Sequence, residues 1–291
     1  MFNVIRMEIN RLFRSKSLYV TWGVCAGVVV LFVMFLAALL DFTADLTDYS
    51  DMAVSAGDMA VSAGDVYGEM TVSGSDAAAM PAPSPISFFA SVVSGLCLLF
   101  VVIYTASFVH AFYKDGYSKN VIACVKYRYY FQISKTVCVA AIAASFLVVS
   151  SVAATLASVI CVKGFTFTHM GLYFAFLLGE FLLLAAVGLL SAFLTELTGG
   201  KATAIVYILF AMTNLVSGIL SLLDSRLSRL LHIDVELSDL LPSLYHNSFT
   251  ISAETPSENG ASLAHAIILS IVFIAIYNAA GAYLITKRDV K

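Results

Sequence analysis

Residues 112–135 read FYKDGYSKNVIACVKYRYYFQISK, a polar and basic segment between two long apolar runs. The segment holds five Lys and Arg residues against one acid, Asp115. Loops that carry an excess of Lys and Arg between membrane spans stay on the cytoplasmic side. The stretch therefore predicts a membrane protein in which this loop faces the cytoplasm.

The composition of the 291-residue chain points the same way. Hydrophobic residues make up 60% of it and charged residues 12%, and the mean hydropathy is +0.92. Such a chain has too few charges to cover the surface of a soluble domain. We therefore predict an all-α polytopic membrane protein and exclude a soluble one.

Six apolar runs are each long enough to cross the roughly 30 Å hydrocarbon core of a bilayer. With both termini in the cytoplasm, only Lys163, Arg226 and Arg229 of the 16 basic residues lie outside, which follows the positive-inside rule. The third run is rich in Ala and Ser, which allow close helix packing in lipid, so we expect it to be central. The predicted spans are 17–40, 87–111, 136–162, 170–194, 202–223 and 262–286, followed by a cytoplasmic tail, 287–291.

Residues 1–16 are predicted to form an amphipathic helix, because apolar residues from Phe2 to Phe13 share one face at helical spacing. A helix with arginines on its other face lies in the interface of an anionic leaflet. A cleaved signal peptide is the alternative, but the following apolar run is too long for one. The expected interfacial anchors are Arg6, Arg11, Arg14 and Lys16.

The segment 41–86 holds eight acids and no Lys or Arg, so we predict an extracellular loop. Its sequence DMAVSAG occurs twice in tandem, at 51–57 and 58–64. Two copies, each with a glycine, indicate a duplication in a tolerant loop rather than a coiled coil. A metal-binding loop is the alternative, although the acids lack EF-hand spacing. A second extracellular loop, 224–261, has short amphipathic pieces that predict short helices.

The basic loop also resembles a known family. Asp115-Gly116 is followed by Lys119-Asn120, and then by apolar residues whose spacing predicts a short helix, an aromatic stretch and Ser134-Lys135. This order is similar to the loop between the second and third spans in permease subunits of type-2 ATP-binding cassette (ABC) transporters. The resemblance implies a coupling helix that contacts a separate ATPase. Its expected contact residues are Asp115, Gly116, Lys119, Asn120 and Ile122.

The same resemblance implies a function and a set of partners. The chain would be the permease half of an exporter in the bacterial cytoplasmic membrane, moving antimicrobial or other amphipathic peptides, or a lipid-like substrate. Its partners would be an ABC ATPase subunit, a second permease subunit, identical or different, and membrane lipids, but no nucleic acid. ATP and Mg would be used by the ATPase, and this chain would bind no cofactor.

Motifs of enzymes are missing from the sequence. Residues 199–203, GGKAT, lack the first glycine and the hydroxyl of a complete phosphate-binding loop, and neither a His-Glu-x-x-His nor a Gly-x-Ser-x-Gly motif occurs. The five cysteines show neither a disulfide framework nor a paired metal spacing. We therefore predict a transport subunit with no catalytic residue and no metal site.

Glu180 lies near the middle of the fourth predicted span. An ionisable residue there costs at least about 2.5 kcal/mol unless it is paired or protonated. It is either a structural residue bonded to Thr105, Ser107 or Asn214 on another span, or part of a substrate or coupling path. Two further intramembrane polar candidates, Asn214 and Asn278, are expected to link helices.

Two other functional classes stay open. A membrane sensor or assembly scaffold would need no ATPase, so co-purification of an ATPase separates it from a transporter. An intramembrane enzyme would need a catalytic polar pair at one depth, and the sequence indicates no partner for Glu180.

Overall fold

The computed structural model describes residues 2–58, 94–114, 129–161, 170–212, 240–252 and 259–287. Helices make up almost all of these ranges, and no strand occurs among the described residues, so this part of the chain is all-α as predicted. The helices are α1 (Phe2–Arg14), α2 (Lys16–Asp58), α3 (Ser94–Lys114), α4 (Tyr129–Cys161), α5 (Met170–Thr198), α6 (Lys201–Met212), α7 (Pro242–Ser252) and α8 (Asn259–Lys287).

Five of these helices, α2, α3, α4, α5 and α8, contain segments long and apolar enough to cross a membrane. The chain thus has the helices of a multi-pass membrane protein. In the fifth predicted span, 202–223, the structure describes the shorter apolar helix α6, and the remainder lies outside the described residues. The count of six spans stays a prediction.

Helix α2 continues beyond the first predicted span. It is 43 residues long, or about 65 Å at 1.5 Å per residue, which is about twice the thickness of the hydrocarbon core. Residues 41–58, predicted as part of an extracellular loop, are therefore helical, whereas the apolar segment able to cross a membrane ends at Leu39, close to the predicted end of the span at residue 40. The acids there oppose burial in lipid but not helix formation, and residues 41–56 contain neither Gly nor Pro. The first copy of the heptad is helical, and most of the second lies outside the described residues.

The basic loop is shorter than predicted. Helix α3 runs to Lys114 and α4 begins at Tyr129, so both ends of the segment 112–135 are helical. Lys135 was expected to face the cytoplasm, but its side chain is buried. Phe131, in the first turn of α4, is buried and packs against Phe112 of α3. Residues 115–128, which include the predicted coupling helix, lie outside the described part of the chain.

Two helices share the centre of the bundle. Helix α5 contacts α3, α4, α6, α7 and α8, whereas α4 contacts α1, α2, α3, α5 and α8. A larger fraction of α5 than of α4 is buried. The third predicted span, α4, therefore shares the central position with α5. Gly188 allows α5 to pack closely on α4, because a Cβ at this position would lie 2.8 Å from the Cγ1 atom of Val139 on α4.

Short connections fix two pairs of neighbouring helices. Ser15 alone separates α1 from α2, and its hydroxyl lies 3.1 Å from the Tyr104 hydroxyl on α3. Gly199 and Gly200 separate α5 from α6. Gly199 adopts a φ of 71°, a left-handed conformation that favours glycine at a helix end. The glycines of GGKAT therefore form the turn that lets α6 pack against α5.

Helix α7 lies inside the segment predicted as the second extracellular loop. It starts at Pro242, a residue suited to the first helical position, and it contacts α5, α6 and α8. Its residues Ser243 to His246 and Phe249 are all buried. The segment thus folds back onto the bundle at this helix.

Candidate functional site

Glu180 and His246 form a buried pair between α5 and α7. The Oε1 atom of Glu180 lies 2.7 Å from Nε2 of His246, and the two side chains are 0% and 1% exposed. Thr105 and Ser107, two of the partners expected for Glu180, do not bond it, and Asn214 lies outside the described residues. The partner is instead His246, which lies in the segment predicted as the second extracellular loop.

The position of His246 follows from the packing of α7. Phe249, one helical turn later, stacks on Phe176 of α5 with ring centroids 5.1 Å apart. The hydroxyl groups of Ser243 and Tyr207 lie 2.9 Å apart and connect α7 to α6. Residues three positions apart share a helix face, so the packing of Phe249 directs His246 toward Glu180. The sequence features that suit this arrangement are Pro242 at the start of the helix and the aromatic Phe249 one turn after His246.

The pair can exchange a proton between a carboxyl group and an imidazole. Its second carboxyl oxygen, Oε2, makes no hydrogen bond within the described residues. An unsatisfied buried polar atom costs about 1 to 3 kcal/mol. Two protein ligands are fewer than metal sites commonly use, and no group of three or more His, Cys, Asp or Glu occurs in the described ranges. The geometry is therefore that of an acid–base pair.

Gly179 allows α7 to approach α5 beside this pair. A Cβ at this position would lie 2.7 Å from Cζ of Phe249 and 2.9 Å from Cδ1 of Leu263. We expect Gly179→Ala to lower stability by about 1 to 3 kcal/mol, because the extra methyl group overpacks the contact. Thermal unfolding of the purified protein measures the effect. Gly171→Ala is the control, since nothing lies within 4 Å of a Cβ there, and an equal loss in both variants would contradict the prediction.

A second polar group lies at the other end of α5. Lys135 of α4 forms a buried ion pair with Glu196, and these residues are 2% and 4% exposed. The Lys135 ammonium also lies 3.4 Å from the hydroxyl of Tyr113 and from Oε1 of Gln132. Sequence reasoning did not single out Glu196. The sequence does contain a signal for this pair. Lys135 directly precedes the third predicted span and Glu196 follows the fourth, both on the predicted cytoplasmic side.

Asn278 extends this polar group to α8. Its Oδ1 accepts a hydrogen bond from Thr136 of α4, and its Nδ2 donates to the Ile274 carbonyl at 2.8 Å. Gly281, one turn later, leaves room for the side chain of Gln132. We call this set the inner polar cluster. It consists of Tyr113, Gln132, Lys135, Thr136, Glu196 and Asn278.

The predicted interfacial anchors differ in exposure. Arg6, Arg14 and Lys16 are exposed, but Arg11 is partly covered, with Cζ 4.7 Å from the ring centroid of Phe112 on α3. Arg11 follows Glu8 by three positions, and the buried Glu8 marks the face of α1 that packs on α4. Arg11 therefore helps to attach α1 to the bundle.

The predicted coupling residues Asp115, Gly116, Lys119, Asn120 and Ile122 all lie outside the described residues, as does Asn214. Comparison of the chain with models of known protein families gives no match, and comparison with curated proteins gives none either. Function is therefore inferred from the sequence pattern and the geometry above.

Proposed function

We propose that this chain is the permease subunit of an ATP-driven exporter of the type-2 ABC kind, located in the bacterial cytoplasmic membrane. A separate ATPase subunit hydrolyses ATP with Mg, and a second permease subunit completes the translocation path. The cargo is an antimicrobial or other amphipathic peptide, or a lipid-like molecule. Both termini and the basic loop face the cytoplasm.

The observation that carries the proposal is the attachment of the basic loop. The helices on either side of residues 115–128 meet in the inner polar cluster, where Lys135 of α4 contacts Tyr113 of α3. Through Glu196 and Asn278 the same cluster reaches α5 and α8. A partner that moves the loop would therefore act on four helices together.

The central helix α5 would carry such a movement across the bundle. Glu196 and Glu180 are about 24 Å apart along its axis at 1.5 Å per residue. At one end α5 is joined to α4 by the Lys135–Glu196 pair, and toward the other end it contacts α7 through Glu180 and His246. Tilting of α5 by the ATPase would change its contact with α7, and this change would open a path for the cargo.

Co-purification tests the proposal. The tagged chain is extracted with a mild detergent from the membranes of the cells that make it, after lysine-reactive crosslinking. We expect an ATPase subunit to co-purify and to give Mg-dependent, vanadate-sensitive ATP hydrolysis. A chain that is repeatedly recovered intact without any ATPase would overturn the proposal and favour a sensor or scaffold.

Replacement of Asp115, Gly116 and Lys119 by alanine should weaken docking of the ATPase. We expect its recovery to fall about tenfold or more, which corresponds to a loss of about 1.4 kcal/mol in binding. The amount of chain in the membrane should not change, because the three residues lie outside the predicted spans. Lys163→Ala, on the opposite predicted side, is the control. Undiminished recovery with the triple variant would exclude these residues from the contact.

A further inference from the structure

The Glu180–His246 pair is an ionisable contact among several that hold α7 on the bundle. Other contacts of α7 include the stacking of Phe249 on Phe176, the Ser243–Tyr207 hydrogen bond and the approach of Tyr245 to His265 of α8. Both members of the pair are shielded from solvent, so a change in their charge has no water to compensate it. Docking of α7 therefore depends on how many protons the pair holds.

We infer that Glu180 and His246 form a binding site for one proton, and that α7 docks on α5 with this proton bound. The ligand is a proton because the surroundings are tightly packed: a Cβ added at the neighbouring Gly179 would lie only 2.7 Å from Cζ of Phe249. The inference goes beyond the transport proposal and does not depend on it.

The charge of the pair explains why one proton is bound. When Glu180 is a carboxylate and His246 a neutral imidazole, the pair is an anion. The Oε2 atom of Glu180, which makes no hydrogen bond within the described residues, then carries part of the negative charge in an apolar environment. With one added proton the pair is neutral overall, either as carboxylic acid and imidazole or as carboxylate and imidazolium. The 2.7 Å hydrogen bond fits both of these forms. With two added protons the pair is a cation.

The neighbouring titratable groups supply no charge that would replace the proton. They lie on the helices around the pair; thiol and phenol groups carry no positive charge, and an ordinary imidazole is mostly neutral above about pH 6.5. In the described residues these neighbours are Cys97 on α3, Tyr207 on α6, Tyr245 on α7 and His265 on α8.

The direction of the pH dependence follows from proton counting. When α7 is released, the two groups reach water, where a glutamate loses its proton near pH 4.3 and a histidine near pH 6.5. The released histidine is about half protonated at pH 6.5 and almost fully deprotonated above about pH 7.5, whereas the docked pair holds one proton. Docking then takes up a proton and weakens as the pH rises, by up to about tenfold per pH unit.

Hydrogen–deuterium exchange of α7 tests this inference on the full chain in lipid nanodiscs. Exchange rates between about pH 6.5 and about pH 8 are divided by the intrinsic rate at each pH, so that they report the opening of α7. We expect opening to increase about tenfold or more over this range in the parent protein, while α5 stays protected. A flat profile overturns the inference, whatever the variants do.

Two variants identify the groups responsible. Glu180→Gln keeps a hydrogen-bonding oxygen but cannot take the proton, so the increase in opening above pH 6.5 should disappear. His265→Gln removes the neighbouring histidine, whose ring centroid lies 4.6 Å from that of Tyr245. This variant should leave the increase in opening unchanged. An unchanged profile in Glu180→Gln, or a flat one in His265→Gln, would assign the proton to another group and overturn the inference.

Discussion

Lys135→Met is expected to lower the free energy of unfolding by about 3 to 5 kcal/mol. The substitution removes the ammonium partner of a buried ion pair and leaves the Glu196 carboxylate in an interior where it is only 4% exposed. Helices α4 and α5 would also lose the link between their ends. Unfolding by denaturing detergent in mixed micelles gives the change in free energy, and the melting temperature gives its sign independently.

Two variants control for this effect. Lys135→Met combined with Glu196→Met removes both charges, and we expect it to regain most of the lost stability because no buried charge is left unpaired. Lys201→Met removes an exposed lysine near the same end of the bundle and should change stability by about 0.5 kcal/mol or less. If Lys135→Met were as stable as Lys201→Met, the ion pair would contribute nothing to folding.

Glu180→Leu is the second substitution for which we expect a large loss, of about 1 to 3 kcal/mol. Leucine fills the space in the apolar bundle but leaves Nε2 of the buried His246 without its partner. Glu180→Gln keeps a hydrogen-bonding group at the same place and should retain most of the stability. Equal stability of the Leu and Gln variants would show that the hydrogen bond does not hold α7.

The same two variants separate the two interpretations of Glu180. If its role is structural, the Gln variant should match the parent in ATP hydrolysis by the co-purified complex, and only the Leu variant should lose stability. If Glu180 belongs to a substrate or coupling path, the Gln variant should change ATP hydrolysis while its melting temperature stays the same. Measuring both quantities on each variant decides between them.

Five long apolar helices could be predicted because each is a long apolar run, but how far the helices continue beyond the apolar runs could not. Charged or polar residues at 41–58 and 129–135 suggested loops, although both segments are helical. Hydropathy reports the cost of entering lipid, whereas helix formation depends on backbone propensity and on packing. Lys135 shows the difference, because its charge suggested water and its ion pair with Glu196 places it inside the bundle.

The candidate site was predictable in part. Glu180 was evident because an ionisable residue interrupts an apolar run. Its partner was not, since His246 is 66 residues away in a segment predicted to be outside, and helical spacing gives the face of a residue but not the helix opposite it. The aromatic contacts of α7 place His246 at Glu180, and such contacts exist only after the chain has folded back.

The separation of these partners along the chain has a consequence for biosynthesis. Glu180 and His246 are 66 residues apart, and Lys135 and Glu196 are 61 residues apart. At about 5 to 20 residues per second, the ribosome makes the second partner about 3 to 13 s after the first. Until then Glu180 enters the bilayer unmatched, at a cost of about 2.5 kcal/mol or more. A nascent chain that stops after α6 therefore carries in the membrane a carboxyl group without its histidine partner.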